Sequence, residues 1–189
     1  MPQARILAMS SDENLHDLAG VTANPFAAAD VVGILRERGW FTAEASAEQN
    51  AWCERAAALL GPQAADQEEF AELLGLVFHY DATKLLGEVE SHAVMSRYAA
   101  RGVLRQLALL LLDGGALTTE RFNQIVTSLK DELEIRGREL FHPFRLALAG
   151  RAGEGELDRV ILLLDEAAGA GFPVKTARER VLEFCAALD

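Results

Sequence analysis

Seven cationic side chains in the C-terminal third of the chain have the types and spacing best suited to a chemical role. They are Arg136, Arg138, Arg145, Arg151, Lys175, Arg178 and Arg180. The first four fall around expected loops and helix ends, where planar guanidinium groups and backbone N–H donors bind phosphate oxygens. The last three open an expected helix, where positive charge opposes the helix dipole and has no obvious stabilising purpose. This pattern predicts contact with a phosphate-bearing ligand.

The same residues have a structural interpretation. Each arginine of the first group can cap a helix C-terminus or pair with Glu132, Glu134 or Glu139. Arg145 lies in an apolar run, which favours an internal ion pair for it. Both interpretations stay open at the level of sequence.

The sequence gives little support for a metal site, a phosphate-binding loop or a catalytic site. The histidines are dispersed without metal-ligand spacing, at positions His16, His79, His92 and His142. The glycine-rich loop over 150–155 lacks the preceding strand and the Lys-Ser/Thr pair of a phosphate cradle, so it is expected to be a flexible link. No side chain stands out as catalytic, and neither a metal nor an organic cofactor is expected.

The elements that must position these residues are helices. Ala and Leu abound, no stretch alternates with period two, and the apolar positions of 118–133 recur with a 3.6-residue period. Capping signals predict helix starts at Asn24, Ser46, Asp66, Asp81, Thr118 or Thr119, and Thr176. A long helix is expected over about 90–112, and a short one from Pro143 to Gly150. The predicted fold is an all-α bundle of about eight helices.

The helices are expected to group into two small helical subdomains. Residues 1–23 lack a clear period and are expected to form an N-terminal arm. Residues 24–115 would then make the first subdomain and residues 116–189 the second.

Charge and composition limit the partners. The net charge of −11 argues against a general nucleic-acid binder, and no DNA partner is expected. However, residues 1–129 carry 9 Lys and Arg against 17 Asp and Glu, whereas residues 130–180 carry 9 against 10. The longest apolar run, Leu107 to Leu112, is too short to span a membrane, and there is no signal peptide. Two isolated cysteines, Cys53 and Cys185, are expected to be buried reduced thiols, which fits a cytoplasmic protein.

The stretch Gly137–Gly150 resembles a signature of the bacterial glutamyl-tRNA synthetases, "G-K/R-x-L-F/H-x-P-L-R-x-A-L-T-G", from their helical anticodon-binding half. Further similarities lie at 32–40, at Val77-Phe78-His79-Tyr80-Asp81, over 118–137 and in the final helix. The resemblance therefore spans about 25–189, and it is strong after 118 and weak before 60. It implies two helical domains that form a curved cage around an anticodon stem-loop. It also implies tRNA as the ligand of the seven cations.

The departures from that family bear on function. The ATP-binding "HIGH" and "KMSKS"-type motifs are absent, so the chain is not expected to charge tRNA alone. A basic turn of the family is replaced by the uncharged stretch Leu60–Ala65 and Asp66, and the loop over 165–176 is longer than usual.

Two functions of different class follow from these observations. The first is a stand-alone anticodon-binding protein that binds tRNA or another RNA without being an enzyme. The second is a protein-interaction module on the same scaffold, which has lost RNA binding and partners itself, a synthetase or another translation-related enzyme. A third possibility is that the chain is one piece of a split or fused synthetase.

Overall fold

The computed structural model describes residues 24–188, so the arm expected over residues 1–23 lies outside the described part. Residues 24–188 form ten α-helices, a short 3-10 turn (Gly61–Gln63) and no β-strand, which confirms the all-α prediction. The helices are α1 (Ala28–Glu37), α2 (Ala47–Leu60), α3 (Gln67–Phe78), α4 (Ala82–Leu86), α5 (Val89–Met95), α6 (Ala100–Leu111), α7 (Thr119–Leu133), α8 (Arg138–Ala149), α9 (Glu156–Gly169) and α10 (Ala177–Leu188).

Most helix starts follow the predicted capping residues. The side chains at the starts of α2, α3, α4, α7 and α10 accept a hydrogen bond from the backbone N–H three residues later. They are Ser46, Asp66, Asp81, Thr118 and Thr176. Each bond satisfies one of the N–H groups that a helix start leaves without an internal partner.

The predicted cap at Asn24 is wrong, because α1 begins three residues later than that signal indicates, at Ala28. The Asn24 amide instead donates to the carbonyl of Ala57 over 2.9 Å. This bond attaches the segment ahead of α1 to the C-terminal part of α2.

The single long helix expected over about 90–112 is two helices, α5 and α6, separated by the turn 96–99. The buried positions explain the break. Val94 on α5 is buried, but the next inward positions of a continuous helix would be taken by Arg97 and Tyr98. The chain turns there and restarts so that Ala100 and Val103 face the core.

Helix α8 begins at Arg138, not at Pro143 as predicted, so Pro143 lies inside it. Gly137 has a positive φ of 58° and its carbonyl accepts from the N–H groups of Leu140 and Phe141. These bonds start the helix well ahead of the proline. Gly150 ends it in the left-handed conformation, as predicted.

Helix α8 is the central element of the fold. All seven residues from Pro143 to Ala149 are buried, as expected for a helix surrounded on every side. It packs against α5, α6, α9 and α10. The stretch that resembles the synthetase signature is therefore mainly the inner scaffold of this protein.

The main hydrophobic core draws on helices from both sides of position 115, including Leu74 of α3, Leu129 of α7 and Leu164 of α9. Cys53 lies in this core, whereas Cys185 is only half-buried. The subdomain division at 115/116 stays a prediction. None of the helices in residues 24–188 combines the length and apolar composition needed to cross a membrane.

Candidate nucleic-acid interface

The junction between α7 and α8 exposes two of the predicted arginines. Helix α7 ends at Leu133, the next residue Glu134 reverses the chain with a φ of 54°, and Gly137 then precedes the start of α8. Arg136 lies exposed between these two residues. The Arg138 side chain is 76% exposed, and its ion pair with the equally exposed Glu154 is long, at 3.8 Å. Such a surface pair contributes little stability, so the Arg138 guanidinium is available to a ligand.

A third arginine, Arg97, reaches the same junction from the turn between α5 and α6. Its Nη1 donates to the carbonyl of Arg138 over 3.3 Å and lies 3.2 Å from Nδ1 of His142. Burial and the nearby Arg97 and Arg138 cations hold the pKa of His142 below its ordinary value. The neutral imidazole can then accept from Arg97 at Nδ1, which puts the ring proton on Nε2.

The residue after Arg97 is Tyr98, which is fully exposed at 104%. We refer to Arg97, Tyr98, Arg136 and Arg138 together as the Arg97 patch. The sequence interpretation missed Arg97 and Tyr98 because it placed both inside a continuous helix. The interruption of the apolar period at 97–98 is the signal that could have revealed a surface turn.

Arg151 and Lys175 lie at a different place, near Tyr80. Arg151 and Tyr80 line a cleft of about 660 Å³ between the ends of α3 and α8, together with Lys84. Lys175 donates to the Tyr80 carbonyl over 3.2 Å and pairs closely with Glu183. The cleft also receives carboxylates, from Asp81, Glu88 and Glu90. This mixed charge suits a phosphate ligand less well than the Arg97 patch does.

Arg178 is exposed in the first turn of α10, apart from the other cations. Its Nη1 lies beside the loop 113–115, 3.6 Å from where a Cβ on Gly114 would stand. In that loop, Asp113 already forms a close ion pair with Arg121. Arg178 therefore lies beside a carboxylate whose charge is balanced, and its own guanidinium remains exposed to solvent.

Arg145 is an internal structural residue, so its assignment as an RNA contact is corrected. Its side chain is 8% exposed. The guanidinium makes a two-pronged ion pair with Asp158, at 2.7 and 2.9 Å, and donates to the Gly153 carbonyl over 2.8 Å. These bonds tie α8 to the loop before α9 and to α9 itself. The apolar run around Arg145 is buried, so its guanidinium does not face a ligand at the surface.

Arg180 requires the same correction. It is 0% exposed and is the largest fully buried side chain in the described residues. Its guanidinium donates to three backbone carbonyls, those of Leu76, Val77 and Leu148. The carbonyls belong to the last turns of α3 and α8, where the helix dipoles are negative. Burial lowers the pKa of Arg180 to about 10, which still leaves the side chain charged near neutral pH.

The aromatic ring of Tyr80 completes the arrangement around Arg180. The guanidinium carbon lies 4.7 Å from the ring centroid, and the Tyr80 hydroxyl donates to the Ala147 carbonyl over 2.5 Å. Arg180 is therefore held by hydrogen bonds along its edge and by a ring on one face. It cannot contact RNA without unfolding this end of the molecule.

Within residues 24–188, no group of three or more His, Cys, Asp and Glu side chains is arranged to hold a metal ion. Five of the seven predicted cations remain accessible, and they fall in three places: Arg136 and Arg138, Arg151 and Lys175, and Arg178.

Comparison with known proteins gives two matches. A family model described as "Anticodon binding domain" matches residues 22–167. A glutamate–tRNA ligase 2 of Syntrophus aciditrophicus (strain SB) is 34% identical over 77 residues, which cover 41% of this chain and 16% of that protein. The chain thus matches only a small part of that relative's length. No solved structure matches the chain.

Proposed function

The chain belongs to the anticodon binding domain family, and on this basis we propose that it is an RNA-binding protein whose ligand is tRNA. The observation that carries the proposal is the Arg97 patch. Arg97 and Arg138 are in contact there, Arg136 lies exposed two residues before Arg138, and the ion pair of Arg138 with Glu154 is long, at 3.8 Å. Arg136, Arg138, Arg151, Lys175 and Arg178 remain the proposed contacts from the sequence, and Arg97 and Tyr98 are added.

The charge of the whole protein is compatible with this proposal. A net charge of −11 repels RNA at long range, but contacts at short range depend on local cations. The Arg97 patch takes its cations from the start of α8, the loop before it and the turn 96–99, and these arginines have planar donors that match phosphate geometry. We therefore expect weak binding that depends steeply on salt.

The binding experiment uses unfractionated tRNA and fluorescence anisotropy at several salt concentrations. If three arginines each neutralise one phosphate, the logarithm of affinity falls with the logarithm of salt with a slope of about −2 to −3. The variant Arg136→Ala/Arg138→Ala is expected to weaken binding and to bring this slope closer to zero by about 1 to 2.

A matched control carries the same loss of charge elsewhere. Arg38 and Arg55 are half-exposed and pair on the surface with Glu68 and Glu166. The variant Arg38→Ala/Arg55→Ala should bind tRNA like the unchanged protein. Equal weakening in both double variants would mean that net charge alone governs binding, which would remove the Arg97 patch from the proposal.

We further propose that the chain does not aminoacylate tRNA on its own. Its sequence lacks the ATP-binding motifs that such a reaction requires, and no cluster in the described residues nominates a catalytic group. An aminoacylation assay with purified protein, glutamate, ATP and tRNA should give no charged tRNA above a blank. Charging by the protein alone would overturn this part of the proposal.

A second candidate function, protein docking, is favoured by a groove between α6 and α10. Leu109 is 55% exposed, and Leu112 and Leu182 beside it are 47% and 37% exposed. Arg101 and Arg105 line the same groove, which has a volume of about 320 Å³. Within residues 24–188, no acidic residue lines it.

The charges of this groove point to one kind of occupant, an amphipathic helix with acidic residues beside its apolar face. A second copy joined groove to groove would bring Arg101 and Arg105 of both copies together, which opposes self-association. The occupant proposed is therefore a helix of another protein.

Two synthetic peptides of equal length test this candidate. Both carry the same leucine face, one flanked by Glu and the other by Lys. We expect the Glu peptide to bind more tightly, and the variant Arg101→Glu/Arg105→Glu to reverse that preference. Equal binding of the two peptides, or binding that survives Leu109→Ser/Leu112→Ser, would exclude the groove as the docking site.

A further inference from the structure

Tyr98 has no structural role among the described residues that would explain its presence on the surface. Its exposure is 104%, and no aromatic, cation–π or hydrogen-bonding partner for it occurs within residues 24–188. Tyr80 is the contrasting case, with its ring against Arg180 and its hydroxyl bonded to a carbonyl. Both faces of the Tyr98 ring are thus open to solvent.

The backbone that presents Tyr98 is nevertheless held in place. The N–H of Arg97 donates to the Val94 carbonyl, and the N–H of Ala100 donates to the Arg97 carbonyl, both over 3.2 Å. The Arg97 side chain then fixes the turn to α8 through its contacts with Arg138 and His142. A ring on a held turn loses less conformational entropy on binding than a ring on a free loop.

The neighbours of Tyr98 limit the class of ligand. Arg97 precedes it in the chain, and the Arg138 carbonyl lies within hydrogen-bonding distance of the Arg97 guanidinium. An open aromatic ring beside cations that bind phosphate is the arrangement by which proteins hold single-stranded nucleic acid. Duplex RNA keeps its bases stacked inside and offers no free face to such a ring.

We propose that Tyr98 stacks on an unpaired nucleobase of the bound RNA, while Arg97 and Arg138 contact the flanking phosphates. The inference rests on the proposed function, which it deepens by assigning the contact with an unpaired base to Tyr98 in the turn between α5 and α6. The ring supplies the contact, and the hydroxyl is not required.

Two RNA probes test the inference: a hairpin with a single-stranded loop and a fully paired duplex of the same length. Tyr98→Ala should weaken hairpin binding about 5- to 100-fold and leave duplex binding unchanged. Tyr98→Phe should bind the hairpin like the unchanged protein. Val89→Ala removes another exposed apolar side chain, 85% exposed at the start of α5, and should change neither affinity.

A spectroscopic readout separates stacking from an indirect effect. In Tyr98→Trp, the new indole should lose emission when the hairpin is added and keep it when the duplex is added. If Tyr98→Phe weakens binding as much as Tyr98→Ala, a hydrogen bond replaces stacking as the explanation and the inference is wrong.

The failure of this inference is distinguishable from that of the proposed function. Unchanged hairpin affinity in Tyr98→Ala, together with weaker binding in Arg136→Ala/Arg138→Ala, would overturn stacking and leave RNA binding in place. Absence of RNA binding by the unchanged protein at low salt would overturn both.

Discussion

At the scale of single residues, two arginines two positions apart on α10 have opposite roles. Arg178 is exposed, whereas Arg180 is buried and donates to the ends of α3 and α8. The sequence showed that positive charge at the start of α10 does not stabilise α10 itself. It could not show that the charge stabilises two other helices, because their ends meet Arg180 only in the folded chain.

Arg180→Ala is expected to lower the free energy of unfolding by at least about 3 kcal/mol, since it leaves three buried carbonyls without donors and opens a cavity. Arg178→Ala, the matched control, should change it by less than about 0.5 kcal/mol. Urea unfolding followed by circular dichroism measures both. Equal stability of the two variants would show that the carbonyls find other partners.

His142 makes a pH-dependent contribution to stability. Its pKa is lowered in the folded protein by burial, Arg97, Arg138 and Arg145, and is raised only by Glu154. The unfolded chain therefore binds a proton more readily, and the free energy of unfolding should fall as the pH drops below about 6.5.

His142→Gln should reduce that pH dependence, because the amide oxygen accepts from Arg97 without taking up a proton. Urea unfolding of both proteins between about pH 5 and 7.5 measures the difference. The exposed His92→Gln is the control and should follow the unchanged protein. If His142→Gln kept the original pH dependence of the free energy of unfolding, protonation of carboxylates would explain that dependence instead.

At the scale of helices, the sequence predicted helix starts correctly where a capping side chain bonds to a backbone N–H a few residues away. The caps at Ser46, Asp66 and Thr176 depend on contacts three residues apart, and these can be predicted from sequence. The turn at 96–99 and the early start of α8 depend on which side chains face a core that distant segments build. Helix propensity therefore did not indicate the exposure of Arg97 and Tyr98, and the interrupted apolar period at 97–98 was the sequence signal that pointed to it.

Gly137 is the position on which the start of α8 depends. Its φ of 58° with ψ of −139° is a conformation that residues with a Cβ rarely adopt, although no atom lies within 4 Å of where that Cβ would stand. Gly137→Ala should therefore cost about 1 to 3 kcal/mol from backbone strain alone.

Gly33 is the matched control. A Cβ added there would also have no neighbour within 4 Å, but Gly33 lies inside α1, where its backbone conformation suits any residue. Gly33→Ala should raise the free energy of unfolding by about 0.5 to 1 kcal/mol. Thermal unfolding compares the two variants. Similar effects of both substitutions would mean that the chain adjusts around position 137 without strain.

At the scale of the whole molecule, the core and Arg180 connect the two segments that were predicted as subdomains. Leu74 and Leu129 belong to one core, and Arg180 bonds to carbonyls on both sides of position 115. The fold class and family could be predicted from composition and the signature. Within the candidate site, Arg136 and Arg138 could also be predicted, whereas Arg97 and Tyr98 could not, because their exposure depends on the turn 96–99.

We expect these connections to make residues 24–188 unfold in one transition. Tryptophan fluorescence reports Trp40 and Trp52, both in the first predicted subdomain, while circular dichroism reports all helices. The two signals should give the same urea midpoint. Separate midpoints would indicate that the predicted subdomains unfold independently.

The hydrogen bonds from Arg180 go to backbone carbonyls, so they also constrain how the helices that carry those carbonyls are rotated about their axes. Each residue added to a helix rotates everything beyond it by about 100°. One extra residue within α3 or α8, ahead of Leu76 or Leu148, would turn those carbonyls away from the guanidinium. Insertions should therefore be tolerated in the loop at 42–45 but not inside either helix, so a single side chain on α10 fixes the register of two other helices.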